Sequence, residues 1–554
     1  MKNGILAKRV LKPKFPDNSL SLFRPLPVVL LALFLAACGG KNSPAGEGGQ
    51  SPVQDRKDLS VALSLEPEEG FDPTVSWGNH EIFVFQSTLL KYGLDMNLTG
   101  ELAESYSVDS TGKVYTFVLR KDVTFSDGEP FTAEDVVFTL KKAAQTSTFI
   151  DYTAMEDVRA DGDYQVIITL NKVESTFPNS IARQGIVPAH AYNEDTYPRE
   201  PTGTGPYVLK QWDRGQQVIT QRNPHYFRNT PYFEKITFVF LSEDAALAAA
   251  KAGTVDIAMT TPVLATAQIP GMRLEAYKAS DARGIGFPVL KRGAVTRTDG
   301  AVVGNDVTSD AAIRRALNYA VDRQALVDHV LNGFGQRQYT ESDNLAWGNP
   351  EALIADNNLE EAGKILDAAG WIDVDGDGIR EKNGLKAEFT VLYPSVDGTR
   401  QAIAVVFADM AKPLGIKVHV EGLSWDQLFR RWYEDASVLG TGQLSPMTGY
   451  RLYSSRYAGI GYDNTSYYSN PMVDTYFDQA MDAAADTTYS FWKKAQWDGA
   501  FGTSVKGDAV FVWLLSVDHL YYVNENLFIG EQRLHGHGTQ WQIVHSIEDW
   551  KWTE

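Results

Sequence analysis

The sequence predicts an α/β protein of layered sheets and helices, and three observations carry that prediction. Runs of strand length alternate along the chain with helical-period segments of about 10–15 residues, the pattern of largely parallel sheets covered by helices. Residues 236–259 hold a complete strand–helix–strand unit, ITFVFL and DIAM around an Ala-rich helix. Hydrophobic residues make up 44% and charged residues 22% of 554, an ordinary globular composition with length for two or three folding units.

Taken in order, LSVALSL (59–65) reads as a short apolar strand, and a turn-rich stretch leads into an apolar helix, EIFVFQSTLLKY (81–92). KVYTFVLRK (113–121) alternates like a half-buried strand. Thr132 then caps a helix over 133–144, with Glu134 and Asp135 in its first turn. YQVIITL (164–170) is the next strand. Helices are expected over 309–331, 358–369 and 399–412, with strands at 386–393 and 417–422. A helix near 471–485 and the apolar run DAVFVWLL (508–515) close the pattern.

The N-terminus is of another kind. Residues 1–25 are basic, Leu26–Ala37 is an apolar run too short to span a bilayer, and Cys38 follows at once. Leu35-Ala36-Ala37-Cys38 resembles the lipobox of bacterial lipoproteins, which implies cleavage before Cys38 and lipidation of its thiol. Residues 1–37 are thus expected to be a signal peptide, and the polar Gly/Ser/Pro-rich stretch that follows Cys38, to residue 57, a flexible stalk. Cys38 is the only cysteine, so the folded part has no disulfide, no thiolate metal site and no cysteine nucleophile. Net charge is −19 over the whole chain and about −24 from Cys38 onward, which argues against a nucleic-acid binder.

Five segments, LTGELAESYSVDSTGKVYTFVLRKDVTFSDGEPFTAEDVVFTL (98–140), PTGTGPYVL (201–209), RNPHYF (222–227), AAIRRALNYAVDRQALVDHVLNGFG (311–335) and EEAGKILDAAGWIDVDGDGIREKNG (360–384), occur in one order. In that order and spacing the chain resembles the bacterial extracellular solute-binding proteins of family 5, the dipeptide, oligopeptide and nickel binders of ABC importers. The resemblance implies a two-lobed periplasmic-binding-protein fold of type II, with a ligand cleft at the hinge. Lobe I would span 58–284, with an extra subdomain at about 93–205. Lobe II would span 285–505, and 506–554 would return to lobe I. The implied partners are a peptide or metal-chelate solute and the permease subunits. The membrane would be met only through the lipid anchor, and the chain is expected to act as a monomer outside the cytoplasmic membrane, in the periplasm or at the cell surface.

The same resemblance directs attention to particular residues. Trp77 and His80 lie in a turn that faces the cleft in the family, where Trp77 can stack on a ligand or pack a helix start. Arg183 lies within a residue of where nickel-binding relatives carry a carboxylate-clamping arginine. Arg283 is expected at the hinge or cleft wall. Peptide-binding relatives carry an amine-pairing aspartate in the region of 439–464, but this chain has no acid between Asp435 and Asp463. The stretch offers Gln443, Tyr450, Arg451, Tyr453 and Arg456 instead, a set suited to carboxylates or polar rings.

His535 and His537 are two apart, so in a strand both imidazoles face one side. With His80 they could hold a metal, such as nickel in a chelate; a surface loop is the alternative. DVDGDGIREKNG (373–384) imitates a calcium loop. Asp373, Asp375 and Asp377 stand at its first, third and fifth positions and Gly378 at its sixth, but Gly384 replaces the glutamate at the twelfth. No GxSxG elbow and no HExxH helix is present, so the expectation is a binder without catalysis or required cofactor. An exported hydrolase or a non-transport receptor on the same scaffold is the alternative.

Overall fold

The strand Asp58–Leu63 runs parallel to Lys235–Phe240 on one side and to Ile257–Thr260 on the other. It lies within a seven-stranded sheet ordered Met272–Tyr277, His519–Asn524, Ile257–Thr260, Asp58–Leu63, Lys235–Phe240, Gln217–Arg222 and Tyr207–Asp213. This computed structural model describes residues 56–553 except Glu68, 79–82, 148–149, 485–486 and Thr539. The expected signal peptide, Cys38, most of the stalk and His80 lie outside the described residues. Among the described residues no helix is long and apolar enough to cross a membrane.

A second sheet of six strands runs Gly335–Arg337, Phe511–Val517, Ala282–Gly286, Ala436–Thr441, Glu388–Pro394, Lys417–Leu423. Its apolar core packs against the helices Ala311–Ala320, Arg323–Val330, Leu359–Ala368 and Gly398–Ala411. A four-stranded antiparallel sheet, Ala103–Val108, Val114–Leu119, Gln165–Leu170 and Met155–Ala160, forms a separate core with the helix Ala133–Thr146. The helices Met447–Tyr453, Pro471–Asp482 and Thr488–Gln496 make a further, aromatic-rich core under Phe511 and Trp513.

Three expectations need correction. The sheets are mixed, because each large sheet holds only two parallel pairings and takes its remaining strands from antiparallel neighbours. The predicted helix 81–92 does not form over its described part, and Leu90–Tyr92 is instead a strand paired with Leu98–Gly100. The reason is competition for the backbone. The carbonyl of Phe85 accepts from Gly205 N at 2.9 Å and that of Ser87 from Ile186 N at 2.9 Å. A Cβ on Gly203 would lie 2.1 Å from the Phe85 carbonyl oxygen, so only glycine permits that approach. Finally, the helix expected over 309–331 is two helices, broken where Val321 turns extended and Asp322 caps Ala325 N at 2.8 Å.

Candidate functional site

Two short connections carry the chain between the large sheets. Residues 278–281 join Met272–Tyr277 to Ala282–Gly286, and Asp518 alone separates Phe511–Val517 from His519–Asn524. The connections lie side by side, with Val517 N donating to Asp281 O at 2.9 Å and Lys278 paired to Asp518 at 2.8 Å. The 535–537 stretch lies beside the first of them. Ser280 N donates to His535 O at 2.9 Å, and His537 N to Gly442 O at 3.0 Å. Gly442 has φ +144°, and a Cβ there would meet the Ser280 carbonyl oxygen at 1.9 Å. No other residue fits this packing.

Asp281, 3% exposed, organises the polar groups at the crossing. Its carboxylate binds the Arg283 guanidinium and the Nδ1 of His537, and His519 Nε2 stands 3.5 Å away. Burial alone would raise this carboxyl, but Arg283, then His537 and His519, hold it well below the usual range. The Nδ1 atoms of His519 and His535 lie 3.1 Å apart, and His535 Nε2 is 3.2 Å from Gln532 Oε1. Burial lowers the affinity of both His535 and His537 for a proton; Asp281 opposes this for His537.

Arg400 is the residue that sequence reasoning missed. A Cβ on Gly440 would lie 2.7 Å from Arg283 Nη1 and 2.9 Å from Arg400 Nη2, so both guanidinia converge on that glycine. Arg400 is 8% exposed and stands 5.1 Å over the Trp425 ring. Its Nε has no hydrogen-bond partner among the described residues, and the nearest acid, Asp397, is 3.4 Å away. Burial, then repulsion from Arg283, pushes Arg400 down to about 10. One sequence signal existed: an arginine in the first turn of a helix opposes the helix dipole and needs another reason to be there.

A cavity of about 560 Å³ opens against this crossing. Met259, Thr260 and Leu520 line it from the first sheet, and Arg283 and Val517 from the second. Its charges have both signs: Arg283 faces a cavity that also carries Glu243, Asp244, Asp397 and Asp518. Such a wall suits a solute with a positive and a negative end.

The remaining sequence candidates distribute differently. Trp77, 6% exposed, packs edge-on to Phe71 at 4.8 Å and Trp541 at 5.5 Å, inside the first sheet's core. Arg183 is buried, with its charge acting on Tyr152. Tyr450 accepts from Arg456 at 2.8 Å. Tyr453 donates to Glu341 at 3.2 Å and accepts from Trp513 Nε1 at 2.9 Å. Arg451 and Arg456 are paired to Asp463 and Asp478. Packing, rather than an open wall, thus accounts for Trp77, Tyr450 and Tyr453. Gln443, half-buried, follows Gly442 beside the crossing.

Two metal readings also change. His535 and His537 are not in a strand, and their rings turn to different partners, His519 with Gln532 and Asp281 respectively. Among the described residues they join no group of three ligands within reach of one ion. Asp373, Asp375 and Asp377 do converge, with Glu381, to within 4.8 Å of one another. Lys386, however, pairs with Asp377 and stands 3.4 Å from Asp375 and 3.6 Å from Glu381. Its ammonium offsets one of the four negative charges and occupies three of the carboxylates, and calcium is not supported.

Comparison with known proteins agrees with the architecture. The family described as bacterial extracellular solute-binding proteins, family 5 Middle, matches residues 97–463. Protein XP55 of Streptomyces lividans is 32% identical over 93% of this chain and 93% of its own length. The oligopeptide-binding protein AppA of Bacillus subtilis is 29% identical, over 84% and 88% respectively. NikZ from Campylobacter jejuni, solved in complex with Ni(L-His), superposes with a TM-score of 0.76. At 22% identity over 90% of this chain and 99% of that one, its likeness is one of fold.

Proposed function

Because the chain belongs to the bacterial extracellular solute-binding proteins of family 5, we propose that it captures a zwitterionic solute between two lobes and delivers it to an ABC importer. The solute is peptide-like or a metal chelate. Relatives named for a ligand include an oligopeptide-binding and a nickel-binding protein, which are binding proteins, not enzymes. The lobes we assign meet at the two connections: one, built on the first sheet, ends at Tyr277 and resumes at His519 and carries the extra subdomain at about 93–205, and the other, expected over 285–505, extends to take in Ala282–Gly286 and Phe511–Val517. Cys38 holds the protein by a lipid at the outer face of the cytoplasmic membrane or the cell surface.

One observation carries this reading. The cavity beside the two crossings takes walls from both large sheets, and its lining carries Arg283, paired to Asp281, together with further carboxylates. A solute carboxylate meets Arg283, with Arg400 behind it, through paired N–H donors. Its amine, or the cation of a chelate, meets Glu243, Asp244 or Asp397. These acids come from segments far in sequence from 439–464, so the missing aspartate there does not leave an amine without a partner. His535 and His537 are occupied by their own contacts, so a metal arrives already chelated.

The test is a melting screen of the full chain with dipeptides and with nickel plus free histidine. A solute that selects the native state adds about 2.7 kcal/mol at a hundred times its Kd, a rise of a few degrees. One of the two classes should give it, and Arg283→Ala should abolish it. No shift with either class, together with native mass spectra free of any retained solute, would remove the proposal.

A further inference from the structure

Among the described residues, hydrogen bonds at two places tie the four-stranded subdomain to the body formed by the second sheet and its helices, and neither place touches the cavity. At the first, Ser175 follows the strand Gln165–Leu170 and meets the end of the helix Pro471–Asp482. Ser175 N donates to Met481 O at 2.8 Å, and its hydroxyl donates to Ala480 O at 2.8 Å. Thr488 shares the Ala480 carbonyl at 2.7 Å, and its hydroxyl is 3.1 Å from that of Ser175. The last four carbonyls of any helix lack partners within it. Here two of them are satisfied from a different body.

At the second contact, the Tyr92 hydroxyl donates to Leu444 O and accepts from Asn179 Nδ2 at 2.8 Å. Leu444 comes from the loop after Ala436–Thr441, yet it is fully buried in the subdomain's core with Leu89, Leu90, Ile181 and Ala182. Leu345 packs against both cores. Each body otherwise has its own interior, so parting these contacts withdraws Leu444 from the subdomain's core and leaves the remaining members of both cores in place.

We propose that Ser175 and Tyr92 form a two-point clasp that populates the closed arrangement before any solute enters. They are positioning residues: they act on capture by setting the open-to-closed ratio. This rests on the reading of the chain as a two-lobed binder. A net hydrogen bond is worth about a two- to tenfold change in such a ratio, so losing both hydroxyls multiplies the open-to-closed ratio by roughly ten.

The test uses the full chain with Cys38→Ser and spin labels at Val108→Cys and Met472→Cys, which are exposed on the two bodies. Distances are measured by electron–electron resonance without solute. The parent should show a major short-distance population. Ser175→Ala with Tyr92→Phe should raise the long-to-short ratio about tenfold or more while the melting temperature changes little. Ser175→Thr, which keeps the hydroxyl and the N–H, should retain the parent ratio. A parent found only at the long distance, or a double variant with the parent's distribution, overturns the clasp. Because no solute is present, failure of the solute screen leaves this outcome readable. If the double variant melts far below the parent, the single Tyr92→Phe variant, which removes only a hydroxyl, decides by the same ratio.

Discussion

Single buried side chains set the pH response of this protein. Glu341 lies 5% exposed among Tyr453, Ser342 and Gln496, and burial pushes its carboxyl up to about 7. In the unfolded chain the same group titrates near 4.5. Below that value both states hold the proton and its contribution is full. As pH rises from there through 7 the unfolded chain releases the proton first, so stability is lost. Glu341→Gln should therefore raise the melting temperature by several degrees at pH 8 and leave it nearly unchanged at pH 4.5. An equal change at both values would remove Glu341 from the account. His545 acts at the other limb, since burial pulls its imidazole down to about 3. Its contribution is full above pH 6.5 and fades as pH falls from there, so His545→Gln should flatten the acid side of a melting profile. Cys38 is read by chemistry instead of burial: Cys38→Ala should move the protein from the membrane fraction to the soluble fraction of its own cells. Persistence in the membrane fraction would remove the anchor.

At the scale of elements, local signals located the longer helices and the strongly apolar strands but not the short or polar strands, and backbone competition explains the helix that failed. Asp322 is the clearest signal that was overlooked. It caps Ala325 N, and Arg323 immediately after it turns inward to bind the carbonyls of Gln338, Trp513 and Asn318 at 2.8–3.0 Å. A continuous helix would have carried Arg323 away from those partners. Asp322→Ala should cost about 1 kcal/mol, the usual value of a cap, as measured by urea unfolding. A cost near zero would mean that Arg323 alone enforces the break. The helix expected over 81–92 failed for the opposite reason, because its apolar period was real but Gly203, Gly205 and Ile186 claimed the carbonyls and space around Phe85 and Ser87. Those partners lie about a hundred residues away and leave no local trace.

For the whole molecule, connectivity decides function. Two short connections join the large sheets, and a cavity with charges of both signs lies against them. The proposed closure around a solute would turn about these connections. The polar cluster at Asp281 fills the crossing itself with partners that are already matched. Asp281→Asn should therefore lower stability more than it lowers solute affinity, since it leaves Arg283 and His537 without their shared carboxylate. Parallel urea unfolding and binding measurements would show the split; a loss confined to binding would make Asp281 a direct solute contact.

The sequence by itself determined the α/β class, the order of the longer helices and apolar strands, the family and the presence of a candidate anchor at Cys38. These are written in periodicity and short motifs, which depend on neighbours along the chain. Arg283 at the crossing was also legible, because the family's order of segments places it there. Only the tertiary structure decided which candidates face a cavity. Trp77, Tyr450 and Tyr453 look like binding aromatics in sequence, but rings and hydroxyls from distant segments enclose them. Arg400 looked like one more helix residue until Gly440 brought it beside Arg283. Burial and the pairing of charges depend on contacts between remote segments. That is why the chain disclosed the kind of binder it is, and its fold had to disclose where the charges meet.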